Sequence, residues 1–247
     1  MSVALVTGAA KRLGREIALQ LARNGWDIAA HHLSSEADAQ QLAEAVTQLG
    51  RKCVLVKADL AQEAEVESVV ARAEAAGGPV TVLVNSASVF EDDRLETASR
   101  ASWDRHLNIN LRAPLVLSQQ FAKRLPGSAS GCIVNLIDQS VLRLTPQFMS
   151  YTVSKTGLWT LTQTMAQSLA PRIRVNAVAP GPALKASHQS QANFDRQVQS
   201  TLLQRPSGPE DIAAAVLYLV NAASVTGQMI AVDSGQHLSW SPSDFVE

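Results

Sequence analysis

Tyr151 and Lys155 are the two residues whose types and spacing most directly suggest chemistry. The chain has only two tyrosines in 247 residues, and Lys155 follows Tyr151 by four positions. Residues four apart share one face of a helix, so the ammonium and the phenol would share one environment. A neighbouring positive charge favours the phenolate, and we expect it to lower the pKa of Tyr151 toward neutrality. A phenol tuned in this way can give a proton to a reacting group or accept one from it.

A turn with two glycines near the N-terminus is the second feature that suggests a chemical role. The apolar run Val3–Val6 predicts a buried strand, and Glu16–Arg23 predicts a helix. Between them lies the segment Thr7–Gly14. Strand, glycine turn and helix together aim a helix N-terminus at a pyrophosphate, which the backbone N–H groups and the helix dipole favour. An ordinary strand-to-helix turn is the alternative for a lone glycine pair; the tyrosine–lysine pair downstream favours a nucleotide site.

Composition sets the frame for these two features. With 247 residues, 46% of them hydrophobic, the chain can bury one large core, and we expect a single domain over residues 1–247. The net charge of −1 gives no reason to expect nucleic acid or an acidic membrane as a partner. No stretch approaches about 18 uninterrupted apolar residues and no signal peptide precedes the first strand, so we expect a soluble, cytoplasmic protein. Cys53 and Cys132 lie far apart in apolar runs, which indicates core thiols rather than a disulfide or metal site.

Short apolar runs alternate with longer amphipathic stretches along the whole chain. The runs predicted as strands are Val3–Val6, Asp27–Ala30, Cys53–Val56, Val80–Val84, Cys132–Ile137, Arg174–Val178 and Met229–Val232. The further predicted helices are Glu36–Leu49, Glu63–Ala76, Ser99–Leu125, Ser150–Ala170 and Pro209–Val220. This alternation predicts an α/β fold, a doubly wound parallel sheet with helices on both faces. Residues 182–208 form the longest insertion, which could cover a ligand at the carboxyl ends of the strands.

The chain resembles the short-chain dehydrogenase/reductase family over essentially its whole length. The matching residues are Thr7, Gly8, Gly14, Asp59, Leu60, Asn85, Ser86, Ala87, Asn110, Tyr151, Lys155, Pro180 and Gly181. The resemblance implies a Rossmann-type sheet of seven strands, a nicotinamide cofactor and a homotetramer. It also implies that Tyr151 donates a proton, that Lys155 binds the nicotinamide ribose, and that Asn110 anchors a water in the proton relay.

Three departures from the family pattern narrow the resemblance. Arg12 stands at the family's middle glycine, Asp138 stands thirteen residues before the tyrosine where a serine is usual, and Ser88 replaces a glycine after the fourth predicted strand. Together they resemble the pteridine reductases and the related dihydromonapterin-type reductases. Phe90 also resembles that subgroup, in which an aromatic residue here stacks the pterin against the nicotinamide. Residues 233–238 are similar to the end of the same group.

Asp138 supports this resemblance on physical grounds. A carbonyl reductase needs a donor aimed at the oxygen that becomes negative; serine supplies one, whereas an ionised aspartate repels it. A pterin instead offers ring N–H and amino groups to a carboxylate, and a C=N bond whose nitrogen must be protonated as hydride arrives. Asp138, Tyr151 and a bound water could deliver that proton, with the pKa of Asp138 raised if the site is dry. The alternatives are that Asp138 merely caps a turn, or that Ser140 replaces the missing serine.

The end of the second predicted strand favours NADP over NAD. Residues 30–35 contain no carboxylate that would bind the ribose 2′-hydroxyl of NAD, while His32 and Ser34 suit a 2′-phosphate. Lys11 and Arg12 bring two cations into the glycine turn, and the arginine fork matches phosphate geometry. We therefore expect NADPH as the cofactor.

Two carboxylates leave the choice of cofactor and one cofactor contact open. If the turn before Glu36 is misplaced by one residue, Glu36 comes closer to the cofactor and would favour NAD. Asp59 could contact adenine or cap the following helix. The residues predicted to bind the cofactor are Gly8, Lys11, Arg12, Leu13, Gly14, His32, Ser34, Asp59, Leu60, Asn85, Ser86, Ala87, Tyr151, Lys155, Pro180 and Gly181.

The sequence therefore predicts an NADPH-dependent reductase of a small-molecule pterin of the dihydropterin type. The residues predicted to contact the pterin are Arg12, Ser88, Phe90, Asp138 and Tyr151, and the catalytic group comprises Asp138, Tyr151, Lys155 and Asn110. One alternative keeps the fold but reduces a ketone or a 3-oxoacyl thioester, with Ser140 or a water in the serine's role. Another is a non-catalytic NADP(H)-binding sensor, which would have no need of a proton relay.

Five further side chains carry weaker expectations. His106, on a long predicted helix, is expected at the surface or an interface, and nothing gives it metal-ligand spacing. His188 and Phe194 in the insertion are expected to line the substrate site or to hold the loop. Trp240 and Phe245 are large apolar groups in a terminus and suggest docking on a neighbouring subunit.

Overall fold

The computed structural model of the protein describes residues 2–74, 77–185 and 189–239. Its strands are β1 (Val3–Val6), β2 (Asp27–His32), β3 (Cys53–Lys57), β4 (Val80–Asn85), β5 (Gly131–Leu136), β6 (Ile173–Pro180) and β7 (Met229–Val232). All neighbouring strands pair in parallel, in the order β3-β2-β1-β4-β5-β6-β7. The predicted α/β fold with a seven-stranded parallel sheet is confirmed.

Helices cover both faces of this sheet. They are α1 (Arg12–Arg23), α2 (Glu36–Gln48), α3 (Glu63–Glu74), α4 (Arg100–Leu107), α5 (Ala113–Arg124), α6 (Met149–Leu169), α7 (Gln191–Gln199) and α8 (Pro209–Asn221). Strand β1 shows why two faces are covered: Ala4 and Val6 pack in one hydrophobic cluster with α1 and α8, while Val3 and Leu5 pack in another with α3 and α5. Alternate residues of a strand point to opposite faces, so a fully apolar strand needs a helix layer on each side.

Several element boundaries differ from those predicted. The second strand continues to His32, and α1 begins at Arg12 rather than Glu16. The predicted helix 99–125 is divided by a π turn (Asn108–Arg112) between α4 and α5. The insertion contains a helix, α7, that the sequence pattern did not predict. The predicted end of the third helix at Ala76 lies outside the described residues.

The core accounts for both cysteines, since Cys132 lies in one hydrophobic cluster and Cys53 packs against the same cluster. Burial raises the pKa of Cys53 to about 12 and that of Cys132 to about 11, which keeps both thiols protonated. Within the described ranges, each helix is too short or too polar to span a bilayer.

The sheet order reverses between β1 and β4, whose neighbours lie on opposite sides. In an open α/β sheet, this switch point creates a crevice at the carboxyl ends of the strands. The turn after β1 and the segment after β4 therefore face each other across the place where a ligand would bind.

Candidate active site

A cavity of about 890 Å³ opens at the carboxyl ends of the strands, within the size range of cofactor and ligand sites. Of the predicted site residues, those lining it are Gly8, Lys11, Arg12, Leu13, Gly14, Asp59, Leu60, Ser86, Ala87, Ser88, Phe90, Asp138, Tyr151, Lys155, Pro180 and Gly181. The structure thus brings together residues from most of the chain. His32, Ser34, Asn85 and Asn110 are not among the lining residues.

Two positions of the glycine turn have no space for a side chain. A Cβ on Gly14 would lie 2.3 Å from the Gly8 carbonyl oxygen, and Gly8 has φ +64°. The Thr7 hydroxyl oxygen accepts hydrogen bonds from the backbone N–H groups of Ser86 and Ala87, at 2.9 and 3.0 Å, and so joins the turn to the end of β4. Helix α1 begins at this turn without a side-chain cap. Its first N–H groups are therefore suited to a pyrophosphate.

His31 supports the same turn from β2, a role that the sequence analysis did not assign. Its Nδ1 accepts a hydrogen bond from Gly8 N at 3.1 Å, so Nε2 carries the ring proton and donates to the Ala58 carbonyl oxygen at 3.0 Å. Burial lowers the pKa of His31 to about 4, so this ring is neutral at physiological pH. The only sequence signal was a histidine ending an apolar strand.

The two residues at the end of β2 that were predicted to bind the 2′-phosphate of NADP do not line the cavity. Leu33 lines the cavity, whereas its neighbours His32 and Ser34 do not, so a contact of either with a 2′-phosphate stays a prediction. Glu36, the carboxylate that would favour NAD, lies 3.4 Å from Lys57 Nζ on the exposed surface, outside the cavity lining. Asp59 lines the cavity and accepts a hydrogen bond from Ala61 N at 2.9 Å, so it also caps a turn.

Arg12 connects the glycine turn to the insertion. It has φ +53°, a left-handed conformation that explains why a glycine suits this position in the family. Its Nη1 donates to the Lys185 carbonyl oxygen at 3.1 Å, and its Nη2 donates to the Leu184 carbonyl oxygen at 3.0 Å. Lys11 lies beside it, 3.0 Å from Asp38. The two cations therefore stand at the edge of the cavity where the insertion meets the turn.

Tyr151, Lys155 and Asp138 meet in the wall of the cavity. The Tyr151 hydroxyl donates to Asp138 Oδ2 at 3.0 Å. Lys155 Nζ lies 5.7 Å from the centre of the tyrosine ring and donates to the Leu136 carbonyl oxygen at 2.9 Å. Tyr151 and Lys155 follow each other on α6, while Asp138 comes from the segment after β5. The predicted pair therefore has a third ionisable partner at hydrogen-bond distance.

These three groups perturb one another's protonation. Burial, together with the adjacent Asp138 carboxylate, raises the pKa of Tyr151 well above its ordinary value. The predicted lowering of this pKa is therefore wrong for this structure, because burial disfavours the phenolate and the carboxylate that contacts the phenol disfavours it further. Burial also raises the pKa of Asp138 and lowers that of Lys155 to about 8. A raised pKa for Asp138 is the shift expected of a dry site.

Asp138 makes two contacts. One caps a turn, as one interpretation of the sequence expected, and the other joins the carboxyl group to Tyr151. Its Oδ1 accepts from Ser140 N at 2.8 Å and caps the short 3₁₀ turn Gln139–Val141, while its Oδ2 faces Tyr151. Ser140 also lines the cavity. The carboxyl group is thus fixed by a backbone contact on one oxygen and engages the phenol with the other.

Asn110 lies in the π turn and is fully buried. Its side chain accepts from Val89 N at 2.9 Å and Ser88 Oγ at 3.2 Å, and donates to the Val89 carbonyl oxygen and to Ser154 Oγ. It therefore fixes the segment after β4 against α6. The π turn places this residue inward, a local irregularity that often accompanies functional sites. The predicted water-anchoring role stays a prediction.

Two phenylalanines and the tyrosine form an aromatic group at the cavity. The rings of Phe90 and Phe148 stack with centres 4.5 Å apart and planes inclined by 27°. Tyr151 meets Phe90 edge to face at 4.7 Å. Phe90 was predicted from the sequence but Phe148 was not, because nothing in the sequence indicates that Phe148 adopts a left-handed conformation with φ +56° before α6.

The insertion contributes both apolar and amide side chains to the cavity. Phe194 lines it, one of its two expected roles, together with the insertion amides Gln189, Asn193 and Gln197. Three further amides, from other segments, also line the cavity: Gln139, Gln147 and Gln236. The predictions for His188, Trp240 and Phe245 concern positions outside the described residues.

His106 corrects a further expectation. It is fully buried within the chain rather than at the surface or an interface, because α4 packs this face against α6. Its ring centre lies 6.0 Å from that of Tyr151. A single polar residue on an amphipathic helix gives no sequence signal for such burial.

The sheet, the glycine turn and the acid–base group in the cleft define a Rossmann-type dinucleotide-binding protein. Residues 8–237 match a family model described as enoyl-(acyl carrier protein) reductase. A short-chain type dehydrogenase/reductase of Picea abies is 32% identical over 249 residues, covering 95% of this chain and 92% of that protein. The chain therefore belongs to the short-chain dehydrogenase/reductase family, a family of oxidoreductases.

Two further relatives differ in chemistry. A 3-oxoacyl-(acyl-carrier-protein) reductase FabG of Staphylococcus epidermidis is 32% identical over 240 residues, covering 95% of this chain and 98% of that protein. The crystal structure of FolM alternative dihydrofolate reductase 1 from Brucella canis, complexed with NADP, has 43% identity and a TM-score of 0.95. That similarity covers 99% of this chain and 97% of the other.

Proposed function

We propose that this protein is an NADPH-dependent reductase of a dihydropterin. The observation that carries the proposal is the hydrogen bond from the buried Tyr151 to the half-buried Asp138. A carboxyl group at this point can accept from the N–H and amino groups of a pterin and, when protonated, can donate to a ring nitrogen. A substrate with only a carbonyl oxygen has no donor for it.

The side chains at the cavity can supply the proton that such a reduction needs in addition to the hydride. Bound NADPH would supply the hydride to the C=N bond. Asp138 is the natural relay for the proton, because burial raises its pKa and so favours the protonated carboxyl. Tyr151 holds the other end of the relay, and its raised pKa keeps the phenol able to donate. Lys155, whose ammonium lies on the same helix face, suits the ribose hydroxyls of the cofactor.

The aromatic group suits a flat substrate ring. Phe90 and Phe148 are stacked at the cavity, next to Tyr151, and both line it. Aromatic faces favour offset stacking on another planar ring. A bicyclic pterin has such a face, whereas a 3-oxoacyl chain does not. Arg12 and Ser88 line the same cavity and complete the set proposed to contact the substrate.

Similarity to the Brucella canis protein supports both parts of the proposal. That protein is described as an alternative dihydrofolate reductase and was crystallised with NADP. Lys11 and Arg12 at the edge of the cavity suit the extra phosphate of NADP, and the absence of a carboxylate at residues 30–35 removes the usual ligand of NAD.

The test is to follow NADPH oxidation by the purified protein with a 7,8-dihydropterin, an acetoacetyl thioester and a simple diketone, each repeated with NADH. We expect turnover with the dihydropterin and NADPH, and at least about tenfold lower kcat/KM with the ketones. Preference for the ketones would refute the proposal. The Asp138→Ser variant should lose pterin turnover, and undiminished turnover would show that Asp138 does not select the substrate.

The 3-oxoacyl thioester reductase remains a second candidate because of one structural observation. Ser140 lines the cavity two residues after Asp138, close to where the family's usual serine stands, and the FabG of Staphylococcus epidermidis is a relative. If this candidate is right, Ser140→Ala should abolish thioester reduction, whereas it should leave pterin reduction largely intact.

A further inference from the structure

Three buried polar side chains lie directly behind the aromatic group and outside the cavity lining. Asp93, His106 and Ser150 are 2%, 0% and 0% exposed. They come from the segment after β4, from α4 and from the first turn of α6. His106 Nδ1 lies 2.7 Å from Ser150 Oγ, and Ser150 Oγ donates to Asp93 Oδ2. We refer to Asp93, His106 and Ser150 as the buried triad.

The direction of each hydrogen bond in the buried triad follows from the donors available. Glu91 N donates to His106 Nε2 at 3.2 Å, so Nε2 is unprotonated and Nδ1 carries the proton. His106 therefore donates to Ser150, whose hydroxyl donates onward to Asp93. Although burial opposes ionisation, hydrogen bonds from Ser150 and Ser102 lower the pKa of Asp93, so its carboxylate is the fixed acceptor. Each polar side-chain atom of the buried triad has a hydrogen-bond partner, which makes the triad rigid.

The buried triad also supplies the missing cap of α6. Phe148, at the N-cap position, has no side-chain cap hydrogen bond and a left-handed backbone. Asp93 takes over from outside the helix: its Oδ1 accepts from Ser150 N and its carbonyl oxygen accepts from Met149 N, both at 3.0 Å. A non-glycine residue in the left-handed region is strained and keeps this conformation only when its surroundings hold it there. These capping bonds hold Phe148 in that conformation.

Two contacts of the buried triad lie one residue from a ring at the cavity. Glu91, held by His106, follows Phe90, and Ser150, held by Asp93 and His106, precedes Tyr151. A shift of either contact would move the Phe90–Phe148 stack or the tyrosine hydroxyl. The geometry of the aromatic group therefore depends on residues that do not touch a ligand.

We propose that Asp93, His106 and Ser150 are positioning residues that fix Phe90, Phe148 and Tyr151 for substrate binding and proton transfer. A nucleophilic role is excluded by geometry, because none of the three lines the cavity. For Phe90 and Phe148 the inference rests on the proposed function, since stacking matters for a planar substrate. For Tyr151 it holds for any substrate of the family.

The first test replaces Ser150 by alanine. This change removes the bridge between His106 and Asp93 but keeps the backbone N–H that caps α6. We expect KM for the substrate to rise about tenfold, the effect of one hydrogen bond to a charged group, and kcat to fall less. The dissociation constant of NADPH, followed by its fluorescence, should stay within twofold. The control is Ser118→Ala, which removes an equally buried hydroxyl that bonds the Pro114 carbonyl oxygen within α5. It should leave KM unchanged.

The second test separates the two contacts of His106 with a pair of amides. In His106→Gln the side-chain oxygen can reach the Nε2 position and accept from Glu91 N, whereas in His106→Asn the amide nitrogen takes the Nδ1 position and donates to Ser150. We expect the Asn variant to raise substrate KM because the Glu91–Phe90 segment loses its acceptor. The Gln variant should keep that contact and show a smaller rise.

Wild-type KM in Ser150→Ala and in both His106 variants would overturn the inference, as would equal losses of NADPH binding and substrate binding. A variant that unfolds is replaced in the comparison by the other two. The substrate for these assays is whichever compound the wild-type protein turns over. If that is a ketone, the proposed function fails, while the effect of the variants on kcat still tests the positioning of Tyr151.

Discussion

Replacing Asp138 by asparagine tests the acid–base argument most directly, because the two side chains have the same shape. The introduced asparagine would keep its oxygen toward Ser140 N, which is a donor 2.8 Å away. Its amide NH₂ would then face the Tyr151 hydroxyl, where the wild-type protein has a carboxylate oxygen at 3.0 Å. The phenol could no longer donate at this contact, and the side chain could no longer carry a proton to the substrate.

The expected loss follows from the size of general acid–base catalysis, which contributes roughly 10²–10⁴-fold to rates. We expect kcat for a dihydropterin to fall by about 10² or more, while NADPH binding is retained because the cofactor contacts are unchanged. In the wild-type protein, kcat should also fall as pH rises through the raised pKa of Asp138, since the protonated carboxyl is the donor. The Asp138→Asn variant should lack this dependence.

The Asp138→Asn variant should be less active than the wild-type protein but more stable above acid pH. Burial raises the pKa of Asp138 in the folded state. The stability associated with this group is therefore fully present below its unfolded pKa and is lost as pH rises through its folded pKa. The Asp138→Asn variant has no such loss, so its Tm should exceed that of the wild-type protein at pH 8 and approach it in acid. Steady-state kinetics and thermal unfolding at several pH values measure both effects. A variant with full pterin turnover, or with a lower Tm throughout, would refute the reasoning.

Three other changes have defined outcomes. Tyr151→Phe should lose turnover by roughly 10²–10⁴-fold but keep NADPH affinity in a fluorescence titration; loss of cofactor binding would mean that its role is misassigned. NADPH affinity should weaken as pH rises through about 8, where buried Lys155 loses its charge, and Lys155→Met should remove that dependence; an unchanged pH profile in the variant would argue against the contact. Gly14→Ala should weaken NADPH binding at least about tenfold, because its Cβ would lie 2.3 Å from the Gly8 carbonyl oxygen. The control Gly127→Ala, with open space around it, should bind NADPH normally, and equal behaviour of the two would contradict the steric argument.

The sheet was predictable because parallel strands buried on both faces leave a simple signal. Continuous apolar runs such as Val3–Val6 have no solvent-facing positions to interrupt them. The Tyr151–Lys155 pair was predictable for a similar reason, since a spacing of four residues along a helix puts two side chains on one face whatever the fold around them. Helix α7 was missed because the polar sequence of the insertion contains few apolar positions from which to infer a period.

What could not be predicted depends on contacts between distant segments. The pKa of Tyr151 was predicted from its neighbour on the helix, Lys155, but the group that contacts the phenol is Asp138, on a different element. His106 was expected at the surface or an interface because its burial depends on how α4 packs against α6. The conformation of Phe148 is set by Asp93, which lies 55 residues earlier in the chain. In each case the decisive partner is remote in sequence, so local patterns contain no information about it.

The π turn between α4 and α5 constrains how the length of this chain can vary. It accommodates one residue more than a regular α-helical turn. Deleting one of residues 108–112 would close the π turn into regular α-helical geometry. Asn110 would then lose its inward position, and with it the hydrogen bonds that join the segment after β4 to α6. Insertions and deletions in homologous sequences should therefore avoid this turn, and an alignment that places a gap there should be realigned.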